Sequence, residues 1–178
     1  MDLGSINPIL LVASIMVSAT PILLAAIGEM VVEKSGVLNL GVEGMMITGA
    51  VVGFAVAVNT GSPSLGFAAA ALASAVLSLS FGVLTQVFLS NQVATGLGLT
   101  LVGLGLSALI GKPYEGMKSP TLPKLDIPLL GDLPVLGRML FSHDIMVYLS
   151  LALVAAVWAF LKFTRAGLIL RAVGESHD

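Results

Sequence analysis

The chain has 178 residues, of which 57% are hydrophobic and only 10% charged, with eight Lys or Arg, ten Asp or Glu, a net charge of -2 and a mean hydropathy of +1.04. A soluble surface carries about 25% charged residues, so an ordinary globular domain is excluded, and the few cations gather in no patch that would suit nucleic acid. With no Cys and only His143 and His177, disulfides, thiolate metal sites and thiol nucleophiles are excluded, and there is little material for an imidazole metal cage.

Three stretches lack Asp, Glu, Lys and Arg: Leu3 to Gly28, Gly44 to Gly111 and Ile145 to Leu161. A helix needs about 20 residues to cross roughly 30 Å of hydrocarbon, and the middle stretch is long enough for three crossings joined by tight turns. The reading is an all-α, polytopic transmembrane helix bundle of about five spans, at 8–27, 37–58, 66–89, 93–110 and 144–161, forming a single domain over 1–178. Residues 1–7 hold Asp2 and no Lys or Arg, so the first apolar run reads as a retained span and not a cleaved leader.

The first span contains Pro21, which membrane helices tolerate, and it ends in residues 28–36, where Glu29, Glu33 and Lys34 lie between Gly28 and Gly36. Glu29 and Glu33, one helical turn apart, are expected at the membrane interface. In the second span, Glu43 is a carboxylate set well inside the apolar stretch, with Asn39 one turn earlier. A charge there costs about 2.5–3.5 kcal/mol on insertion scales, so it must face protein or water, or else be protonated. Two roles suit it: a polar element of a solute path, or a group bonded to a broken or re-entrant segment near Gly36, Gly41 and Gly44. Gly49 and Gly53 form a small-residue step on the same helix.

Residues 59–64, Asn-Thr-Gly-Ser-Pro-Ser, are turn formers. The third span then carries Gly66, Ala70, Ser74, Ser78 and Gly82 at intervals of four, a stripe that reads as a helix-packing face. Asn91 and Gln92 are expected to cap and turn the chain into the fourth span, which is rich in glycine at 96, 98, 103 and 105; Thr95 and Thr100 join Asn39 and Glu43 as candidates for a translocation path or for structural polar contacts. Residues 112–142, with five prolines, read as an extramembrane loop. His143 and Asp144 form an interfacial pair ahead of the fifth span, and residues 164–178 form a short amphipathic end. Lys and Arg divide four against four between the two faces, so they do not orient the chain; the acids mixed among the loop cations favour an external N-terminus.

The run GEMVVEKSGVLNLGVEGMM at 28–46 resembles the signature of the binding-protein-dependent ABC permease family that serves ribose-type sugars, branched-chain amino acids and nucleosides, with the nucleoside and simple-sugar branch nearest. QVATGLGLT at 92–100 and TRAGLILRAVGE at 164–175 are similar to further family segments, although relatives often carry asparagine where Thr100 stands. The resemblance implies a multi-pass permease of the bacterial plasma (inner) membrane, translocating nucleosides or simple sugars. It implies these partners: a second permease subunit in a homo- or heterodimer, two ATPase subunits that bind ATP and Mg, and an external solute-binding protein, with no cofactor on this chain and no enzymatic activity of its own. It also implies that residues 164–178 are part of a cytoplasmic coupling segment, in which Leu168 and residues 170–173, including Ala172, seat on the ATPase, Arg165, Arg171 and Glu175 set the register, and Gly167 and Gly174 belong to the motif. Family members continue with several more spans after this segment, so the chain is expected to be a fragment of a longer permease.

The sequence has no Gly-x-x-x-x-Gly-Lys-[Ser/Thr] loop to cradle ATP. Two other classes compete with this reading. An ion-coupled carrier would draw on Glu43 and the glycines around it, but it calls for a matching second half. An intramembrane enzyme would draw on Ser, His and Asp, yet neither Gly-x-Ser-x-Gly nor His-Glu-x-x-His is present.

Overall fold

Inside hydrocarbon the backbone has no water to bond, so a crossing segment must satisfy its own N–H and C=O groups as a helix. The computed structural model describes residues 8–122 and 143–175, and its elements follow that rule. They are α1 (Pro8–Lys34), α2 (Val42–Thr60), α3 (Pro63–Gly82) prolonged by a π-helical turn (Val83–Val87), α4 (Gln92–Gly111) followed by a 3-10 turn (Lys112–Tyr114), α5 (Ile145–Phe163) and α6 (Arg165–Glu175). Helices α1 to α5 are long and apolar enough to cross a membrane, in agreement with the five expected spans.

The ends differ from the sequence reading in informative ways. Helix α1 runs through Pro21 and on to Lys34, so Glu29, Glu33 and Lys34 ride on the helix and not in a turn. It stops where Gly36 adopts φ 83°, with Gly36 N–H bonded to Glu33 O at 3.0 Å and Val37 N–H to Val32 O at 3.4 Å. That is a left-handed glycine stop, which an L side chain would strain. Helix α2 begins only at Val42, so residues 37–41, expected in the second span, are not helical. Helix α3 starts at Pro63 and loses its regular ladder after Gly82, where the Thr85 hydroxyl bonds back to Phe81 O and Ser90 bonds Leu84 O through both its N–H and its hydroxyl. Of the expected loop 112–142, residues 123–142 lie outside the described residues, as do residues 176–178 of the expected coupling segment.

The chain divides into two compact units, one made of Met1–Gly28 and Leu122–Ile169 and the other of Glu29–Thr121 and Leu170–Asp178. In the first, His143, Val147 and Ser150 are buried at the start of α5, and His143 N–H donates to the Tyr148 hydroxyl. At the other end of α5 the Lys162 ammonium lies 4.9 Å from the Trp158 ring centre, and Trp158 meets Phe163 edge to face, an arrangement suited to a membrane interface.

In the second unit α2 is the most enclosed span. It packs antiparallel to α3: a Cβ on Gly53 would meet the Ala70 Cβ at 2.8 Å and Gly66 O at 2.9 Å, one on Gly66 would meet Ala57, and the Ser74 hydroxyl donates to Met45 O at 2.9 Å. It packs parallel to α4, with Gly44 against Leu99 and Thr100, Gly103 against Gly44, and Gly111 against Val51. The stripe of small residues on α3 therefore acts over Gly66, Ala70 and Ser74, while Ser78 is exposed and Gly82 has no neighbour for a Cβ within 4 Å. A step of four residues overshoots the 3.6-residue turn by about 40°, so the stripe winds off the contact; Leu77, Phe81 and Thr85 replace it in the buried row, with Met45 and Leu99 completing the core. At the far end the Asn59 amide donates to the Tyr114 hydroxyl at 2.7 Å, closing α2 onto the turn after α4.

Glycine pairs allow the backbones this approach, and their value is testable. Gly103→Ala would drive a methyl into the Gly44 backbone and is expected to cost about 1–3 kcal/mol, whereas Gly105→Ala, with open space around it, is expected to lose nothing. Thermal unfolding of the purified variants in detergent reads the difference, and equal shifts would refute the α2–α4 contact.

Candidate functional site

The non-helical residues 37–41 run beside the first turns of α4. A Cβ on Gly96 would touch Leu40 N and Gly41 N at 2.9 Å, so the two backbones lie against each other. Along α4 the distance from Gln92, beside Leu38, to Thr100, beside Gly44, is eight residues or about 12 Å. A break between two apolar helices leaves polar backbone groups that hydrocarbon cannot satisfy, so protein must meet them wherever lipid is the alternative.

Side chains supply the partners. The Gln92 Oε1 accepts from Leu38 N–H at 2.8 Å, and the Glu29 carboxylate of α1 accepts from Asn39 N–H at 3.2 Å. Asn39, itself buried, accepts from Gly41 N–H at 2.9 Å through its side-chain oxygen, an Asx turn. Thr100 donates toward Leu40 O at 3.1 Å and Gly96 O at 3.2 Å. Glu29 is thus a half-buried acceptor for the break and not fully solvated, and Gln92 reaches across to another segment where a cap is expected from the sequence. Asn91 alone caps α4, accepting from Ala94 N–H at 3.0 Å. Thr95 lies 3.0 Å from the Ser90 hydroxyl in the α3–α4 connection. Glu43, in the first turn of α2, is exposed, and no hydrogen bond or ion pair joins it to the described residues.

The second group of candidates lies on α6. Thr164 starts that helix: its hydroxyl donates to Phe160 O at 2.7 Å and accepts from Gly167 N–H at 3.0 Å, ending α5 and capping α6 together. A threonine just ahead of a new amphipathic run was the available signal for this role, which the sequence reading did not assign. Gly167 is buried, and a Cβ there would run into Phe160 O and the Leu161 backbone. In the other unit, a Cβ on Gly174 would meet Lys34 O and Gly36 N, so the end of α6 sits on the turn that closes α1. Arg165, Leu168, Ala172 and Glu175 are exposed, and Leu168, Ile169 and Val173 leave 60%, 63% and 61% of their surface open. The Arg171 Nε is buried without a hydrogen-bond partner among the described residues.

Residues 11–178 match the family described as "Branched-chain amino acid transport system / permease component". The chain is similar to a putative glucose ABC transporter permease, TsgC13 of Haloferax volcanii, at 39% identity over 90% of this chain and 50% of that protein. It is also similar to the guanosine ABC transporter permease NupQ of Bacillus subtilis, at 35% identity over 98% of this chain and 58% of the relative. A third relative is the nucleoside ABC transporter permease NupC of Lactococcus lactis, at 26% identity over 94% and 56%. The chain spans about half the length of these relatives. No solved structure matches it.

Removing the Gln92 acceptor is expected to leave Leu38 N–H unpaired at a cost of about 1–3 kcal/mol. Hydrogen exchange across residues 35–41 in detergent should accelerate in Gln92→Ala and stay close to wild type in Gln92→Glu, which keeps an acceptor. Unchanged exchange in the alanine variant would show that the bond does not hold the break.

Proposed function

The chain belongs to the branched-chain amino acid transport system / permease component family, and from that membership we propose that it contributes five spans to the membrane subunit of an ATP-driven importer for nucleosides or simple sugars. The solute class rests on relatives named for glucose, guanosine and nucleosides. A transport component of this family is not an enzyme, and the family assignment gives no support to an ion-driven carrier. The working assembly pairs two permease subunits, takes solute from an external binding protein, and leaves ATP and Mg to two ATPase subunits.

The observation that carries the mechanical part of the proposal is the division of labour on α6. Its two glycines seat the helix, Gly167 on the end of α5 and Gly174 on the end of α1, while Leu168, Ile169 and Val173 stay uncovered beside Arg165. An apolar stripe with flanking charge, on a helix fixed by backbone contacts, can receive a push from a partner and pass it on without bending. On this reading Arg165, Leu168, Ala172 and Glu175 face the ATPase, Gly167 and Gly174 hold the helix in place, and Arg171, expected in the register set, lies on the seated side with its Nε buried.

In a complete permease assembled with its ATPase and binding protein, Leu168→Glu is expected to lower ATPase retention on affinity purification at least about tenfold and to abolish ATP-driven uptake, since a charge would enter the apolar seat. Membrane insertion and detergent stability should be unchanged, because Leu168 is exposed in the isolated chain. Normal uptake in this variant and in Arg165→Glu would refute the coupling role.

A further inference from the structure

Helix α2 is held by its two neighbours in different ways. Against α3 the contact is interlocked: Ser74, Ala70 and Ala57 fill the notches left by Gly49, Gly53 and Gly66, and the Ser74 hydroxyl donates to Met45 O. Against the first half of α4 it is smooth. Gly41 lies on Gly96, Gly44 on Leu99 and Thr100, and Gly103 on Gly44, and the nearest atoms across the contact are backbone. Leu99 does reach the core of Met45, Leu77 and Phe81, an apolar contact without direction and without a bond to break. The far end of the same helix pair is fastened by side chains. Val51 meets Gly111, the Asn59 amide donates to the Tyr114 hydroxyl at 2.7 Å, and the Phe54 ring meets Tyr114 edge to face at 6.3 Å. One end of the α2–α4 pair is thus pinned, and the other is only laid together.

The bonds across the smooth end have substitutes at hand. Thr100 has one hydroxyl proton and two carbonyls within reach, Leu40 O at 3.1 Å and Gly96 O at 3.2 Å, so on losing Leu40 it keeps a partner in its own helix. Gln92 is the first residue of α4, where the N–H groups of the opening turn offer its amide oxygen another partner. The holds on the other side of residues 37–41 are firmer: Glu29 accepts from Asn39 N–H, and Gly174 of α6 lies backbone to backbone on Lys34 and Gly36. The link from α3 to α4 is itself suited to bending. It is a π-helical turn followed by Leu89 at φ 53°, a left-handed conformation that leucine keeps only under constraint.

We propose that the α2–α4 contact is a hinged gate: it parts at the Gly41–Gly96 end, stays fastened at the Tyr114 end, and is worked by α6 through Gly174 and residues 35–41. The inference rests on the coupling role of α6 proposed above and adds to it the helix contact that the coupling opens and the residue, Thr100, whose hydroxyl changes partner as it does.

The test uses the complete permease with its ATPase and binding protein in lipid vesicles. Residues 1–178 contain no Cys, so cysteine pairs introduced here report alone once any elsewhere in the assembly are replaced. Nitroxide labels go on three pairs of exposed positions: Leu38→Cys with Val93→Cys at the smooth end, Thr60→Cys with Glu115→Cys at the pinned end, and Met46→Cys with Leu72→Cys across α2 and α3. Distances are read by electron paramagnetic resonance without nucleotide and with ATP and vanadate. The smooth-end distance is expected to differ between the two states by about 2 Å or more, while the other two pairs keep theirs. Gly174→Ala should remove most of that difference and lower uptake with the ATPase still bound. Thr100→Val, which keeps the shape and removes the hydroxyl, should populate the separated distance without nucleotide. The proposal is overturned if vesicles that take up solute show one smooth-end distance in both states, if all three pairs change together, or if Gly174→Ala leaves the difference intact. Uptake that survives Leu168→Glu would refute the coupling reading instead.

Discussion

The structure turns on five residues between two apolar helices that are not themselves helical. Residues 37–41 carry backbone donors and acceptors that lipid cannot satisfy, and each one left bare would cost several kcal/mol. The chain meets this by pressing the segment against α4 and bonding it from two sides, with Glu29 on α1 and Gln92 and Thr100 on α4. Glycines at 41, 44, 96 and 103 make the approach close enough for those side chains to reach. Small residues and backbone bonds thus depend on each other: a methyl at Gly96 would push the break away from the very groups that satisfy it.

Helix α2 inherits its position from this arrangement. Because it starts at Val42, its first turn, with its free N–H groups and dipole, lies beside the middle of α4 and not beside its start. The antiparallel contact with α3 and the parallel contact with α4 then leave one stripe of α2 uncovered, and that stripe carries the isolated carboxylate.

The five crossings were legible because hydropathy and length fix them almost independently of packing. The break was not, since Val37, Leu38 and Leu40 are as apolar as any span and their conformation depends on Gln92, 54 positions downstream from Leu38. The bond of Glu29 was hidden for the same reason: its partner, Asn39, is close in sequence only across a glycine stop whose geometry no composition reveals. The α3 stripe was half legible, right for Gly66 to Ser74 and then misleading, because steps of four drift round a helix of 3.6 residues per turn. On α6 the motif pointed to the helix, but the sequence did not separate residues that hold it from residues that are free to bind. The Cβ space at Gly167 and Gly174 makes that separation.

The contact at Gly174 also ties the amphipathic helix to the break. It lands on Lys34 and Gly36, and residue 37, the first of the non-helical segment, follows directly. Both sides of this contact are backbone, so a displacement of the end of α6 cannot be taken up by a side chain changing rotamer, and the glycine stop of α1 has to move with it. From there the next anchored points are the bonds of Leu38 to Gln92 and of Asn39 to Glu29. A segment without its own helical ladder is held by a few separable bonds, and it is softer than the helices on either side. If the coupling proposal holds, a displacement of the end of α6 would reach residues 37–41 before any other segment without a helical ladder, next to the first turn of α2.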